Sequence, residues 1–133
     1  MVRCFFVSMF LLAATLPAVA KDRSVTVLAN RTSGVTSFHV YNNSTCYSPG
    51  HVKSEVTRQG EHGTVKVVYK RLKLPDNARG RGAGRNASAI VTTYTPNRGY
   101  RGKDSARIVF RYPRFESDNR TKSSTLNLSI TVK

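Results

Sequence analysis

The sequence predicts an all-β antiparallel sandwich of about seven strands, and three observations carry that prediction. β-Branched and aromatic residues alternate with polar ones in short runs, which is the pattern of half-buried strands. Clusters of Gly, Pro, Asn and Ser separate the runs and supply turns. Beyond residue 20 no stretch of about a dozen residues keeps apolar side chains at helical spacing. A chain of 133 residues is the size of one small domain, too short for the layers of a Rossmann or TIM-barrel enzyme. A hydrophobic fraction of 39%, gathered in these runs, also argues against disorder throughout.

The first element is a leader. Arg3 precedes an apolar stretch from Cys4 to Leu16, and Ala18-Val19-Ala20 supplies small side chains before the polar Lys21-Asp22-Arg23. This reads as a secretory signal peptide over residues 1–20 cleaved after Ala20, followed by a single domain over 21–133 with no integral membrane segment. Cleavage also removes Cys4, leaves Cys46 without an intramolecular partner, and leaves hydrophobic packing to hold the fold. The expected location is periplasmic or secreted.

Strands are expected at Ser24–Leu28, Val35–Tyr41, Val52–Arg58, Thr64–Lys70, Ala87–Tyr94, Ser105–Tyr112 and Thr125–Val132. Side chains alternate across a strand. That places Val65, Val67 and Tyr69 on one face, and likewise Ala106, Ile108, Phe110 and Tyr112. The clearest row is Leu126, Leu128, Ile130 and Val132, opposed by Asn127, Ser129, Thr131 and Lys133. These rows are the candidate core, with Ile108 and Ile130 its sensitive positions. Leu74 to Asn86, with three glycines and three arginines, is expected to be a mobile basic loop. The polar stretch Phe115 to Ser124 is expected to connect the last hairpin.

The most specific local pattern is Tyr94-Thr95-Pro96-Asn97-Arg98-Gly99-Tyr100-Arg101-Gly102-Lys103-Asp104-Ser105, preceded upstream by His62-Gly63-Thr64-Val65. Pro96 ends ladder pairing, Gly99 and Gly102 permit positive φ, and Asp104 can accept backbone N–H groups at a turn. Tyr94, Pro96, Gly99, Tyr100, Gly102 and Asp104 are therefore read as a structural corner between two strands. Together these motifs resemble bacterial Ig-like and cadherin-like domains over roughly the C-terminal two-thirds of the mature chain. The resemblance implies an Ig-like sandwich and an exported binding or structural module at the bacterial envelope. Ala106 stands where that pattern usually has an aromatic residue, and the acidic clusters with which cadherins bind calcium are missing.

No catalytic constellation emerges. His39, His51 and His62 lack a nucleophile elbow, and the three histidines and Cys46 lack zinc-ligand spacing. The seven acids are scattered rather than paired. The chain is read as a non-enzyme without cofactor or metal. Its charge is more informative: 22 Lys and Arg against 7 Asp and Glu give +15, of which the leader removes only Arg3. Arg79, Arg81 and Arg85 in the glycine loop, with Arg98, Arg101 and Lys103 in the corner, form the candidate anion-binding set. An alternative function follows: a basic protein binding lipopolysaccharide, an anionic glycan or nucleic acid through that loop. A protein partner is the other option. Specific nucleic-acid recognition is not expected, because no RNP-like, zinc-finger or helix-turn-helix pattern occurs. The Asn-x-Ser/Thr triplets at Asn30, Asn42, Asn43, Asn86, Asn119 and Asn127 matter only in a eukaryotic secretory pathway, whereas the resemblance points to bacteria.

Overall fold

A computed structural model describes residues 20–41, 52–78, 80–115 and 118–133, with the backbone alone for residues 81, 113–115 and 118–120. Residues 1–19 of the expected leader, Cys46, His51 and Arg79 lie outside the described residues. All seven expected strands are present: β1 Ala20–Val27, β2 Ser33–Val40, β3 Lys53–Arg58, β4 Gly63–Lys73, β5 Asn86–Pro96, β6 Gly102–Phe115 and β7 Asp118–Val132. The one helical segment among the described residues is the single 3-10 turn Gly80–Gly82. The strands form two sheets, β1-β7-β6-β3 and β2-β5-β4.

The alternation read from the sequence sets the layers. Leu126, Leu128, Ile130 and Val132 of β7 are buried; their antiparallel neighbours Ile108, Ala106 and Asp104 of β6 point the same way, as does Phe110 opposite Ser124. Across the interior stand Ile90, Tyr94 and Val65 of the other sheet. In β2 an extra residue, Val35, interrupts the register between Gly34 and Thr36. The bulge keeps Val35 buried at the corner end of the strand and aims Phe38 between the sheets further along.

Three expectations need correction. β1 runs parallel to β7, from Ala20↔Thr125 to Val27↔Val132, so the larger sheet is mixed rather than antiparallel. Period-2 patterning fixes which face a side chain takes but carries no strand direction, and no hairpin joins the first and last strands. Asp118–Ser124 is strand, not loop. The β6–β7 hairpin continues beyond the flanking strands through Tyr112↔Lys122, Pro113↔Thr121 and Phe115↔Asp118. Its polar composition looked like a connection because a run without apolar alternation carries no strand signal.

The basic segment after β4 is likewise tied down. The Leu74 N–H donates to the Arg85 carbonyl and the Gly84 N–H to the Leu74 carbonyl, extending the β4–β5 hairpin by one rung. Leu74 is buried, as are Ala87 and Ala89 on the outer side of the smaller sheet. Gly82 sits against Leu74 and Tyr41, where a Cβ would stand 2.9 Å from Leu74 Cδ1. Glycine lets this turn close over a small apolar cluster that composition alone conceals.

Two core substitutions test the packing. Ile108 is fully buried, and Ile108→Ala is expected to cost about 3 kcal/mol in urea unfolding. Thr92 is also fully buried, and its hydroxyl has no partner among the described residues. Thr92→Val removes an unsatisfied polar group while preserving shape, so it is expected to leave stability unchanged or raise it by about 1 kcal/mol.

Candidate functional site

The corner is organised around one carboxylate. Asp104 opens the buried row of β6 and is 9% exposed. Its Oδ1 accepts the backbone N–H groups of Glu61 at 3.0 Å and Ser105 at 2.8 Å. Its Oδ2 accepts the His62 N–H at 3.0 Å and the Tyr94 hydroxyl at 2.6 Å. The Tyr94 ring is fully buried and belongs to β5, so one side chain joins the β3–β4 turn, the end of β5 in the smaller sheet and the start of β6 in the larger one.

The remaining motif residues complete the junction. A Cβ on Gly63 would collide with the Tyr94 ring, and one on Gly60 with the Asp104 carboxylate. The His62 carbonyl accepts the Asn97 N–H, and the His62 ring stacks on Tyr100 with centroids 4.1 Å apart. The Tyr100 hydroxyl donates to the Lys103 carbonyl at 2.6 Å. Pro96 is the last residue of β5. Gly99 and Gly102 have φ of 76° and 136°, and the Gly99 N–H donates to Asn30 Oδ1 at 2.7 Å. Tyr94, Pro96, Gly99, Tyr100, Gly102 and Asp104 therefore occupy one connected structure.

The electrostatics match this packing. Burial raises the pKa of Asp104, but hydrogen bonds from Tyr94, Ser105, His62 and Glu61 outweigh it and hold the carboxyl below its ordinary range. Tyr94 is pushed upward, first by burial and then by its hydrogen bond to Asp104 and the nearby charge. Asp104 has no lone pair left over for a ligand, and no metal-binding group of three or more His, Cys, Asp or Glu occurs among the described residues.

The candidate anion-binding residues do not form one site. Arg98, Arg101 and Lys103 lie at the corner end, between β5 and the start of β6, whereas Arg85 precedes β5 at the opposite end. The length of β5 separates them by roughly 34 Å at the strand rise of about 3.4 Å per residue, several times a Debye length of ~8 Å. Arg81 lies in the 3-10 turn beside Arg85 in sequence, so this second group also belongs to the far end.

Cations outside the candidate set lie along the rows that lead toward that end. Lys21 and Arg23 stand in register with Leu126 and Leu128, whose side chains are buried in the core row. In β4 the row that begins with Val65 continues through Val67 and Tyr69 to Arg71 and Lys73, which pair with Ser88 and Asn86. Both inward rows therefore change from apolar to cationic on leaving the corner, β1 already at Arg23, level with Ala106 of β6, and β4 further along at Arg71, beyond Tyr69. Between them lie aromatic side chains, with Phe38 stacked on Phe110 at 5.9 Å and tilted against Tyr112 at 6.0 Å. The signal was available in the alternation Lys21, Arg23, Val25, Val27, but starting the strand at Ser24 cut it off.

Acids offset little of this charge. Glu55 pairs with Arg111 at 3.2 Å, and Asp22 accepts the Asn127 amide at 2.8 Å on the outer face of the larger sheet. No helix among the described residues is long and apolar enough to cross a membrane.

No family model matches the chain, and no curated protein matches it. Among solved structures, the solution structure of amebosin is similar over 88% of this chain and 99% of that one, at 12% identity and a TM-score of 0.43.

The corner network has a measurable pH signature. Asp104→Asn replaces an acceptor by an NH2 group facing two donors and is expected to cost about 2–4 kcal/mol near neutral pH. The folded pKa lies below the unfolded value of about 3.9. The stabilisation is therefore present above that value and lost as pH falls through the folded one. Urea midpoints of wild type and variant should converge as pH drops below about 4.

Proposed function

We propose that this chain is an exported, non-catalytic Ig-like binding module that grips an anionic polymer, such as one of a bacterial envelope, at the end of the sandwich away from the Asp104 corner. With β1 to β7 taken as strands A to G, C, F and G share one sheet and B, E and D the other, in keeping with the Ig partition. Strand A joins the sheet of strand G. The Tyr94–Ser105 corner and the His62-Gly63 turn add support through the resemblance they carry.

The observation behind the ligand class is the paired switch of inward rows to Lys21 and Arg23 on β1 and to Arg71 and Lys73 on β4. Arg71 and Lys73 lie at the end away from the corner with Arg85 exposed at its rim, and Lys21 and Arg23 stand on the other sheet between that end and the middle of the sandwich. β4 lies two inter-strand spacings from β2, the strand of its sheet nearest β1, and the sheets themselves stack about 10 Å apart, so the two pairs stand well beyond that distance from each other and suit an extended polyanion rather than a single charge. Guanidinium groups supply bidentate contacts to phosphate or carboxylate. Lysine adds less directional charge.

Heparin chromatography tests this reading. Neutralising Lys21, Arg23, Arg71 and Lys73 to Gln is expected to lower the eluting salt concentration and flatten the salt dependence of binding. Neutralising Arg98, Arg101 and Lys103 should have a smaller effect. Equal effects per charge removed would mean that net charge alone drives retention and would overturn the assignment to one end.

A further inference from the structure

We propose that the cleft between the β1 and β2 edges binds a small anionic amphiphile, a single phosphate or carboxylate head joined to an unbranched aliphatic chain. The inference rests on the cationic-end reading for the sign of the ligand's charge and adds an apolar contact that a polymer backbone would not require.

Phe38, Phe110 and Leu126 supply apolar walls, Lys21 and Arg23 the positive charge, and Ser124 a hydroxyl. No acidic residue lines the cleft among the described residues. Neither cation has an ion pair or side-chain hydrogen bond among the described residues. Both occupy positions of β1 whose neighbours on β7 are core leucines, so their charges are held over the gap between the sheets. Phe38 remains 38% exposed despite its stack on Phe110, leaving apolar surface beside the two cations. A charged head on Lys21 and Arg23 and a chain against Phe38 satisfy both features at once.

Volume narrows the ligand. The cleft encloses about 110 Å³, below the ~150 Å³ of a cavity that accepts benzene. At about 30 Å³ per water-sized group it admits only a few methylenes, so the rest of a chain would lie along the exposed side of Phe38. Inward charges on edge strands also deter edge-to-edge pairing, but that role requires neither a cleft nor an exposed aromatic wall.

Calorimetric titration with octyl phosphate, octanoate, octyltrimethylammonium and inorganic phosphate separates these roles. The two anionic amphiphiles are expected to bind at least tenfold more tightly than the cation or the bare phosphate. The double variant Lys21→Gln/Arg23→Gln should weaken octyl phosphate at least tenfold. Phe38→Leu, a milder change than truncation, should weaken it while leaving heparin elution unaltered. Amide shifts on titrating wild type should centre on Phe38, Phe110 and Ser124.

Equal binding of octyl phosphate and octyltrimethylammonium, or shifts centred on the outer sheet faces, would overturn the proposal. So would a double variant that self-associates while wild type fails to bind octyl phosphate, which would assign the two charges to edge protection. Octyl phosphate binding without heparin retention would keep this site and remove the polymer reading. Heparin retention without octyl phosphate binding would do the reverse.

Discussion

The Asp104 carboxylate is the interaction on which the architecture turns, because four donors from three separated stretches of chain converge on its two oxygens. Sheet hydrogen bonds hold strands within a layer, and apolar packing holds the layers together without fixing their relative slide. The bond from Tyr94 of β5 to Asp104 of β6 supplies that missing directionality across the layers. It does so with a charged acceptor in a buried place, where hydrogen bonds are strong and their loss is costly. The neighbouring sequence follows from this demand. Gly60 and Gly63 leave space for the carboxylate and the ring, and the Glu61 and His62 backbone must turn inward to donate.

The opposite end is built differently, from the Leu74–Arg85 rung, the Tyr69–Ser88 hydrogen bond at 2.6 Å and a group of aromatic rings. The interior there is closed by Phe38, Phe110 and Tyr112 rather than by aliphatic rows. Inward positions of β1 and β4 accept Lys and Arg without forcing charge into the centre, since the side chains lie near sheet edges and reach solvent. A sandwich with a buried carboxylate at one end and loosely covered aromatics at the other is therefore polarised. Departures from apolar patterning of this kind tend to gather where a protein binds rather than where it merely folds.

Legibility in the sequence followed the same division. The rows in β6 and β7 were readable because Ala106, Ile108 and Phe110, and Leu126, Leu128 and Ile130, repeat at period two with polar neighbours between them. The corner was readable as a turn with an acceptor, but the four partners of Asp104 were not, since Glu61 and His62 lie more than 40 positions upstream. Lys21 and Arg23 escaped notice for a different reason: a charged residue at an inward position looks like the end of a strand. The register of β1 against β7 shows that the strand continues through them, in line with their alternation with Val25 and Val27. The pairing of Leu74 with Arg85 and the burial of Leu74 were hidden by a composition suited to an open loop.

Placement, more than total charge, distinguishes the two groups of cations. Arg98, Arg101 and Lys103 stand on an exposed corner, where water and salt screen them. Lys21 and Arg23 instead overlook an apolar gap whose low-dielectric walls strengthen the field a bound anion would feel. With no acidic partner for either cation among the described residues, a ligand's negative charge would not have to displace an ion pair there. A ligand that also covers Phe38 gains apolar burial in addition to neutralisation, and those two terms respond oppositely to added salt. Binding at the cleft would consequently tolerate salt better than binding of a purely ionic polymer, even though both depend on the same cationic end.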